Sequence, residues 1–119
     1  MKDEALQMAI LFDFFGNLLT EKKRDFFDLY YNEDFSLSEI SEMAGITRQG
    51  VYDHIRHAES QLLDIERKTG IVSKWQESRT ELERAGEIAH KLLQLSGDNE
   101  EVADLVKELV HTLETQKNM

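Results

Sequence analysis

The side chains best equipped for recognition chemistry fall in one short run: Arg48, Gln49, Tyr52 and Arg56. Arginine offers paired N–H donors that match guanine O6 and N7. Glutamine pairs a donor with an acceptor, as the adenine edge requires. Tyr52 and Arg56 stand one and two turns farther on, a spacing better suited to phosphates or a groove wall. A second group, Lys22, Lys23 and Arg24, has the charge to clamp a flanking backbone. His54 and His57, at i and i+3, share a helix face, but two imidazoles without a matched carboxylate do not make a metal site. A solvated or phosphate-neighbouring pair is the simpler expectation. The plain alternative for the whole set is ordinary solvated residues on a scaffold, and Asp53 inside the face would repel phosphates.

These residues need an element that holds them outward, and the stretch from Phe35 to Leu63 supplies one. Ser36 and Glu39 have capping-box spacing, where hydroxyl and carboxylate satisfy each other's orphan amides. A short helix follows, expected to bury Leu37, Ile40 and Ala44. Gly45 falls just past its end, where a left-handed conformation is needed. Ile46 fills the angle, and Thr47 is a good N-cap for a second helix. Val51, Ile55, Ala58, Leu62 and Ile65 recur at steps of four and three, which predicts one buried stripe. Arg48, Gln49, Tyr52, Asp53 and Arg56 are then outward. This is a helix-turn-helix pattern whose second helix, cap first, has the geometry used to enter the DNA major groove. With Thr47 at the tip, Arg48, Gln49, Tyr52, Arg56, Lys22, Lys23 and Arg24 form the candidate DNA-contact set.

Ahead of this motif, residues 3–15 predict a helix with Ala5, Leu6, Ala9, Ile10, Phe12 and Phe14 among its apolar positions. It is apolar over more than one face. Gly16-Asn17 is a stop signal. Thr20 should cap a helix from Glu21 to about Tyr31, with Phe26, Phe27, Leu29 and Tyr30 on its apolar side and a polar turn at 32–34. The recognition helix should run to about Thr69, with Gly70 as C-cap. Ser73 and Gln76 again have capping-box spacing and predict a helix to about Leu95, with Trp75, Leu82, Ala85, Ala89 and Leu92 on one stripe. Asp98 with Glu101 should cap a last helix in which Val102, Leu105, Val106, Leu109 and Leu113 face one way. Two seams on two helices need either the N-terminal module or a partner to cover them.

At 119 residues the chain has room for one domain, or for a small domain and an appendage. Apolar residues make up 40%, ample for a core. With no cysteine there is no disulfide framework, thiolate metal site or thiol catalysis. Asp3 and Glu4 sit where a secretory signal carries positive charge, and no apolar run is long enough to span a bilayer. A cytoplasmic protein is the expectation. The net charge of −10 opposes strong non-specific affinity for nucleic acid, because such affinity rests on lysine and arginine neutralising phosphates. Residues 1–72 carry 8 basic and 14 acidic groups, and residues 73–119 carry 6 and 10, so neither part is a basic module. No Ser/His/Asp arrangement, phosphate-cradling glycine loop or paired acid and base emerges. An enzyme is not expected, nor a cofactor.

The run Leu11-Phe12-Asp13-Phe14-Phe15-Gly16, then Leu18-Leu19-Thr20-Glu21-Lys22 and Leu29-Tyr30-Tyr31, continues through Leu37-Ser38-Glu39-Ile40 and Gly45-Ile46-Thr47-Arg48-Gln49 to Val51-Tyr52-Asp53. Over roughly residues 5–70 it resembles the YlxM family, small helix-turn-helix proteins of Gram-positive bacteria. Thr20 to Leu63 is more broadly similar to region 4 of bacterial sigma factors, the part that reads promoter DNA. Two departures stand out. Ser41 occupies a position that is usually alanine, and Gly50 in the first turn of the recognition helix costs on the order of 1 kcal/mol relative to alanine. The resemblance implies a link to the signal recognition particle, because genes of the family typically sit beside those for its protein and receptor.

The fold expected is all-α: a helix-turn-helix module, similar to sigma region 4, over residues 1–72, then a long two-helix hairpin over residues 73–119 that could serve as a dimerisation element. The function expected is a DNA-binding regulator acting as a homodimer through the hairpin or the first helix. The alternative is an interaction protein without DNA affinity that assists the signal recognition particle through its protein or RNA.

Overall fold

The computed structural model describes residues 2–118 and contains helices and turns only among them. Six α-helices follow in order: α1 (Lys2–Phe15), α2 (Glu21–Tyr31), α3 (Leu37–Ala44), α4 (Arg48–Thr69), α5 (Ile71–Leu95) and α6 (Glu100–Lys117). A 3-10 turn, Gly16–Leu18, links α1 to α2. The chain divides into two compact units, residues 1–72 and 73–119. The boundary falls inside α5, just after Val72.

The first unit is built on two neighbouring cores that share α2 and α4. Met8, Leu11, Phe15, Leu19, Phe27, Ala58, Leu62 and Val72 make one, and Phe26, Ile40, Val51 and Ile55 make the other. Adjacent Phe26 and Phe27 are both buried because α2 faces a different cluster on each side. Phe12, Phe27 and Tyr31 stack in series, with ring centroids 4.8 and 4.5 Å apart. Of the several apolar faces expected on α1, the structure buries one. Met8, Leu11 and Phe15 are buried, Ile10 and Phe12 pack at the edge, and Ala5, Leu6 and Phe14 are exposed.

Local chemistry sets the helix ends. Thr20 accepts from the Lys23 amide at 3.4 Å, and Thr47 accepts from the Gly50 amide at 3.0 Å. Ser36 and Glu39 form the reciprocal capping box at 3.1 and 3.0 Å. These bonds hold the Glu39 carboxyl below its usual range, so its support for α3 is full at neutral pH and is lost as pH falls through that lowered value. Ser36→Ala is expected to lower the stability of the first unit by about 1 kcal/mol, the usual worth of such a cap, as read by urea unfolding followed through far-UV circular dichroism. No change would mean that the turn at 32–36 holds α3 without its cap.

Within α3, Ile40 is fully buried and Leu37 half-buried, but Ala44 is exposed. The helix ends at Ala44, and its small side chain lines a shallow surface groove with Phe26 instead of entering the core. Ser41 donates its hydroxyl to the Ser38 carbonyl, which accommodates the polar group where alanine is usual.

The start of α5 is a second departure. It begins at Ile71, two residues before the expected cap. Gly70, at φ 63°, turns the chain at the end of α4 and lets the next helix begin at once. Thr69 Oγ1 and Glu66 Oε1 accept from the Ile71 and Val72 amides at 3.3 and 2.9 Å, so side chains of the preceding helix do the capping.

In the second unit α5 and α6 run antiparallel, with the Arg79 guanidinium donating to the Lys117 carbonyl at 3.1 Å and Lys117 3.7 Å from Glu83. Gly97, at φ 56°, reverses the chain, and Asn99 rather than Asp98 caps α6 by accepting from the Val102 amide. The turn takes up residues 96–98, which leaves Asp98 one position too early. Ala89 and Val106 are the buried hydrophobics of this unit, with Trp75, Leu82, Ala85 and Leu113 half-buried. Of the stripe expected on α6, Val106 is buried and Leu113 half-buried, while Val102, Leu105 and Leu109 are exposed, as is Leu92 on α5.

Candidate nucleic-acid interface

The corner between α3 and α4 turns on Gly45, whose φ of 70° is the left-handed conformation that carries a steric cost for other residues. Its amide closes on the Ser41 carbonyl at 2.9 Å, and Ile46 packs on the second core. Gly50 has a positive role here. A side chain at that position would sit 3.2 Å from Thr47 Oγ1 and 3.4 Å from Ile46 Cδ1. Its absence leaves room for the Thr47 cap, offsetting the helix-propensity loss.

From this corner α4 projects its leading turns outward, because Val51, Ile55, Ala58 and Leu62 bury the opposite stripe. Arg48, Gln49, Tyr52, Asp53 and Arg56 are all exposed, as is Thr47. They are not independent of one another. Gln49 Nε2 donates to Asp53 Oδ1 at 2.9 Å, so the amide that could read adenine is held by the carboxylate one turn on. Arg56 sits over the Tyr52 ring, 6.0 Å from its centre, and pairs with Glu59 at 3.5 Å. Glu59 also accepts from the Tyr31 hydroxyl at 3.1 Å, tying α4 to α2. Burial and the nearby Glu59 charge push the Tyr31 phenol far above its ordinary range, so it stays a donor at any working pH. Arg48 makes no ion pair with the described residues and lines a shallow depression with Leu37, Gln49 and Tyr52.

On α2, Lys22 is exposed, while Lys23 and Arg24 are half-buried. Burial first, then the charges of Lys22 and Lys23, holds the His54 imidazole below its ordinary value. The structure thus sorts the candidate residues into a tip (Thr47, Arg48, Gln49), a flank (Tyr52, Arg56) and a lysine–histidine edge. Asp53 lies among them on the exposed side of α4. Sequence spacing alone overlooked Glu59 as the partner of Arg56, although a carboxylate at i+3 is a readable signal. Among the described residues no group of three or more His, Cys, Asp or Glu is placed to hold a metal, and no helix is long and apolar enough to cross a membrane.

Known proteins place this sequence in a family. A family model described as "Putative helix-turn-helix protein, YlxM / p13 like" matches residues 2–105. The chain is similar to a UPF0122 protein of Caldanaerobacter subterraneus subsp. tengcongensis, 48% identical over 87 residues, covering 73% of this chain and 74% of that one. A UPF0122 protein of Thermoanaerobacter pseudethanolicus is 49% identical over 84 residues, covering 71% and 72%. Over nearly the full length the chain is 37% identical to a UPF0122 protein of Bacillus cereus strain AH187, across 114 residues and 96% and 97% of the two chains. With the glycine-pivoted corner, the capped second helix and these relatives in agreement, the chain belongs to the UPF0122 family of YlxM/p13-like helix-turn-helix proteins.

Proposed function

We propose that this protein is a DNA-binding regulator that acts as a homodimer, each copy placing the leading turns of α4 in a major groove. The observation that carries this reading is the exposure of Thr47, Arg48, Gln49, Tyr52 and Arg56 on the first turns of a helix whose other side is fully buried. Arg48 reads a base edge, Arg56 and Tyr52 meet the groove wall, and Lys22, Lys23 and Arg24 hold the flanking backbone. Dimer formation through the hairpin would set the spacing of two half-sites.

A salt titration tests it. Binding of duplex DNA fragments should weaken steeply with ionic strength. Arg48→Ala combined with Arg56→Ala should flatten the log–log slope by roughly two, about one for each phosphate no longer neutralised, and by less where an arginine touches only bases. Absence of binding by wild type at low salt would end the regulator reading.

Two observations favour a second reading, an interaction protein of the signal recognition particle that lacks strong DNA affinity. The net charge is −10, and Gln49 and Arg56 are both engaged by carboxylates of their own helix. Retention of the particle's protein or RNA on the immobilised chain tests that reading, and failure to retain either argues against it.

A further inference from the structure

At the lysine–histidine edge of α4, two helices place four cationic or protonatable side chains on neighbouring turns. The His54 ring stands edge-on to buried Phe26, with centroids 5.3 Å apart and planes at 67°. Lys22 and Lys23 lie one turn before Phe26 on α2, and His57 lies one turn after His54 on α4. Lys22 and His57 are exposed; Lys23 and His54 are half-buried. The opposing charges are Asp53 on α4 and, on α2, Glu21 and Asp25, which line a groove with Lys22, Phe26 and Ala44 of α3. Before His54 takes up a proton, two lysines face three carboxylates. A proton on that imidazole moves the balance toward holding an anion.

We propose that Lys22, Lys23, His54 and His57 form a phosphate-binding corner, which grips a nucleic-acid backbone phosphate more tightly once His54 is protonated. The backbone source rests on the nucleic-acid reading above; the phosphate chemistry does not. The electrostatics supply the switch. Burial first, then Lys22, Lys23 and His57, hold the His54 imidazole below its ordinary value, and Asp53 opposes them only in part. A phosphate among these groups reverses the balance and raises the pKa. Binding therefore takes up a proton, and affinity increases as pH falls through the histidine range. A rise of about one pKa unit on binding makes the complex about tenfold tighter on the acid side.

The experiment follows the His54 imidazole by NMR pH titration in the full chain. The probes are a mixed-sequence DNA duplex at low salt and, separately, inorganic phosphate against sodium chloride of equal ionic strength. The His54 pKa should rise with duplex and with phosphate, but not with chloride, and Lys22→Gln with Lys23→Gln should abolish the rise. Duplex affinity should increase severalfold from about pH 8 to about pH 5.5, approaching the limit of about tenfold only at lower pH. Arg48→Ala should keep that pH dependence and His54→Gln should lose it. A duplex that binds without moving the His54 pKa, or with the same pH dependence in His54→Gln, overturns the corner while the regulator reading survives. If no duplex binds, the regulator reading falls. The corner then stands as a phosphate site when inorganic phosphate raises the pKa, and is lost when it does not.

Discussion

Replacing Phe27 by alanine is expected to destabilise the first unit by about 3–5 kcal/mol, the largest effect of any single substitution considered for this chain. Phe27 has no exposed surface and sits between Phe12 and Tyr31 in the aromatic stack. Two effects contribute. Each aromatic contact is worth about 0.5–1.5 kcal/mol beyond the area it buries, whereas truncation removes most of a buried ring and leaves a void. The void dominates. Phe27→Leu separates the two, because it restores most of the volume without the stacking and should cost about 1–2 kcal/mol. Leu6→Ala is the matching surface control: Leu6 is 62% exposed, so its loss should stay within about 0.5 kcal/mol. Urea unfolding followed by far-UV circular dichroism and amide exchange at Ile55 and Leu62 reads all three. Fluorescence does not serve, because the sole tryptophan, Trp75, belongs to the second unit. A cost for Phe27→Ala below about 1 kcal/mol would mean that α1 and α2 do not share a core.

That contrast between Phe27 and Leu6 also marks how far sequence carries in this molecule. The ends of α2, α3 and α4 were readable because each is fixed locally, by capping side chains (Thr20, the Ser36–Glu39 pair, Thr47) or by a glycine in the left-handed conformation (Gly45, Gly70). The buried face of α1 was not. Leu6, Ile10 and Phe14 are as apolar as Met8, Leu11 and Phe15, and only the position of Phe27 and Leu62 decides between them. At Ser73 a valid local signal lost to a stronger one, the left-handed turn at Gly70 that starts α5 early. In the candidate interface, the outward set on α4 followed from the buried stripe alone. The contact of His54 with Phe26, which sets it beside the turn carrying Lys22 and Lys23, did not, since it depends on how α2 crosses α4. The carboxylate pairs of Gln49 and Arg56 lay within reach of an i+3 and i+4 reading.

The hairpin supports the second large expectation: Leu92→Glu with Leu105→Glu should convert a dimer into a monomer. Along α5, exposed apolar residues each precede a more buried one, Ile88 before Ala89, Leu92 before Leu93 and Leu95 before Ser96. On α6 the same offset recurs, with Val102 before Ala103, Leu105 before Val106 and Leu109 before Val110. One residue back is a rotation of about 100° in the same sense on each helix. Because the helices run antiparallel, the two rows fall on the same side of the hairpin, forming one apolar face. These six side chains are 38% to 83% exposed, and a contiguous patch of that kind marks an interaction surface. Burying a leucine is worth about 1.5–3 kcal/mol, so six half-exposed chains per copy give on the order of 10–15 kcal/mol for two copies. That gross gain is comparable to the roughly 4–15 kcal/mol cost of association, so the dimer should form only where its packing is good, and its population should depend on concentration. Two glutamates on each copy put four carboxylates into the interface, a desolvation cost of several kcal/mol per buried charge that the face cannot offset. Multi-angle light scattering across protein concentration should give a dimer mass for wild type and a monomer mass for the double variant, with helix content preserved by circular dichroism. DNA affinity should fall in parallel, since two half-sites are no longer held together. A monomer mass for wild type at high concentration would remove the second copy from this scheme of recognition and leave the apolar face to a different partner.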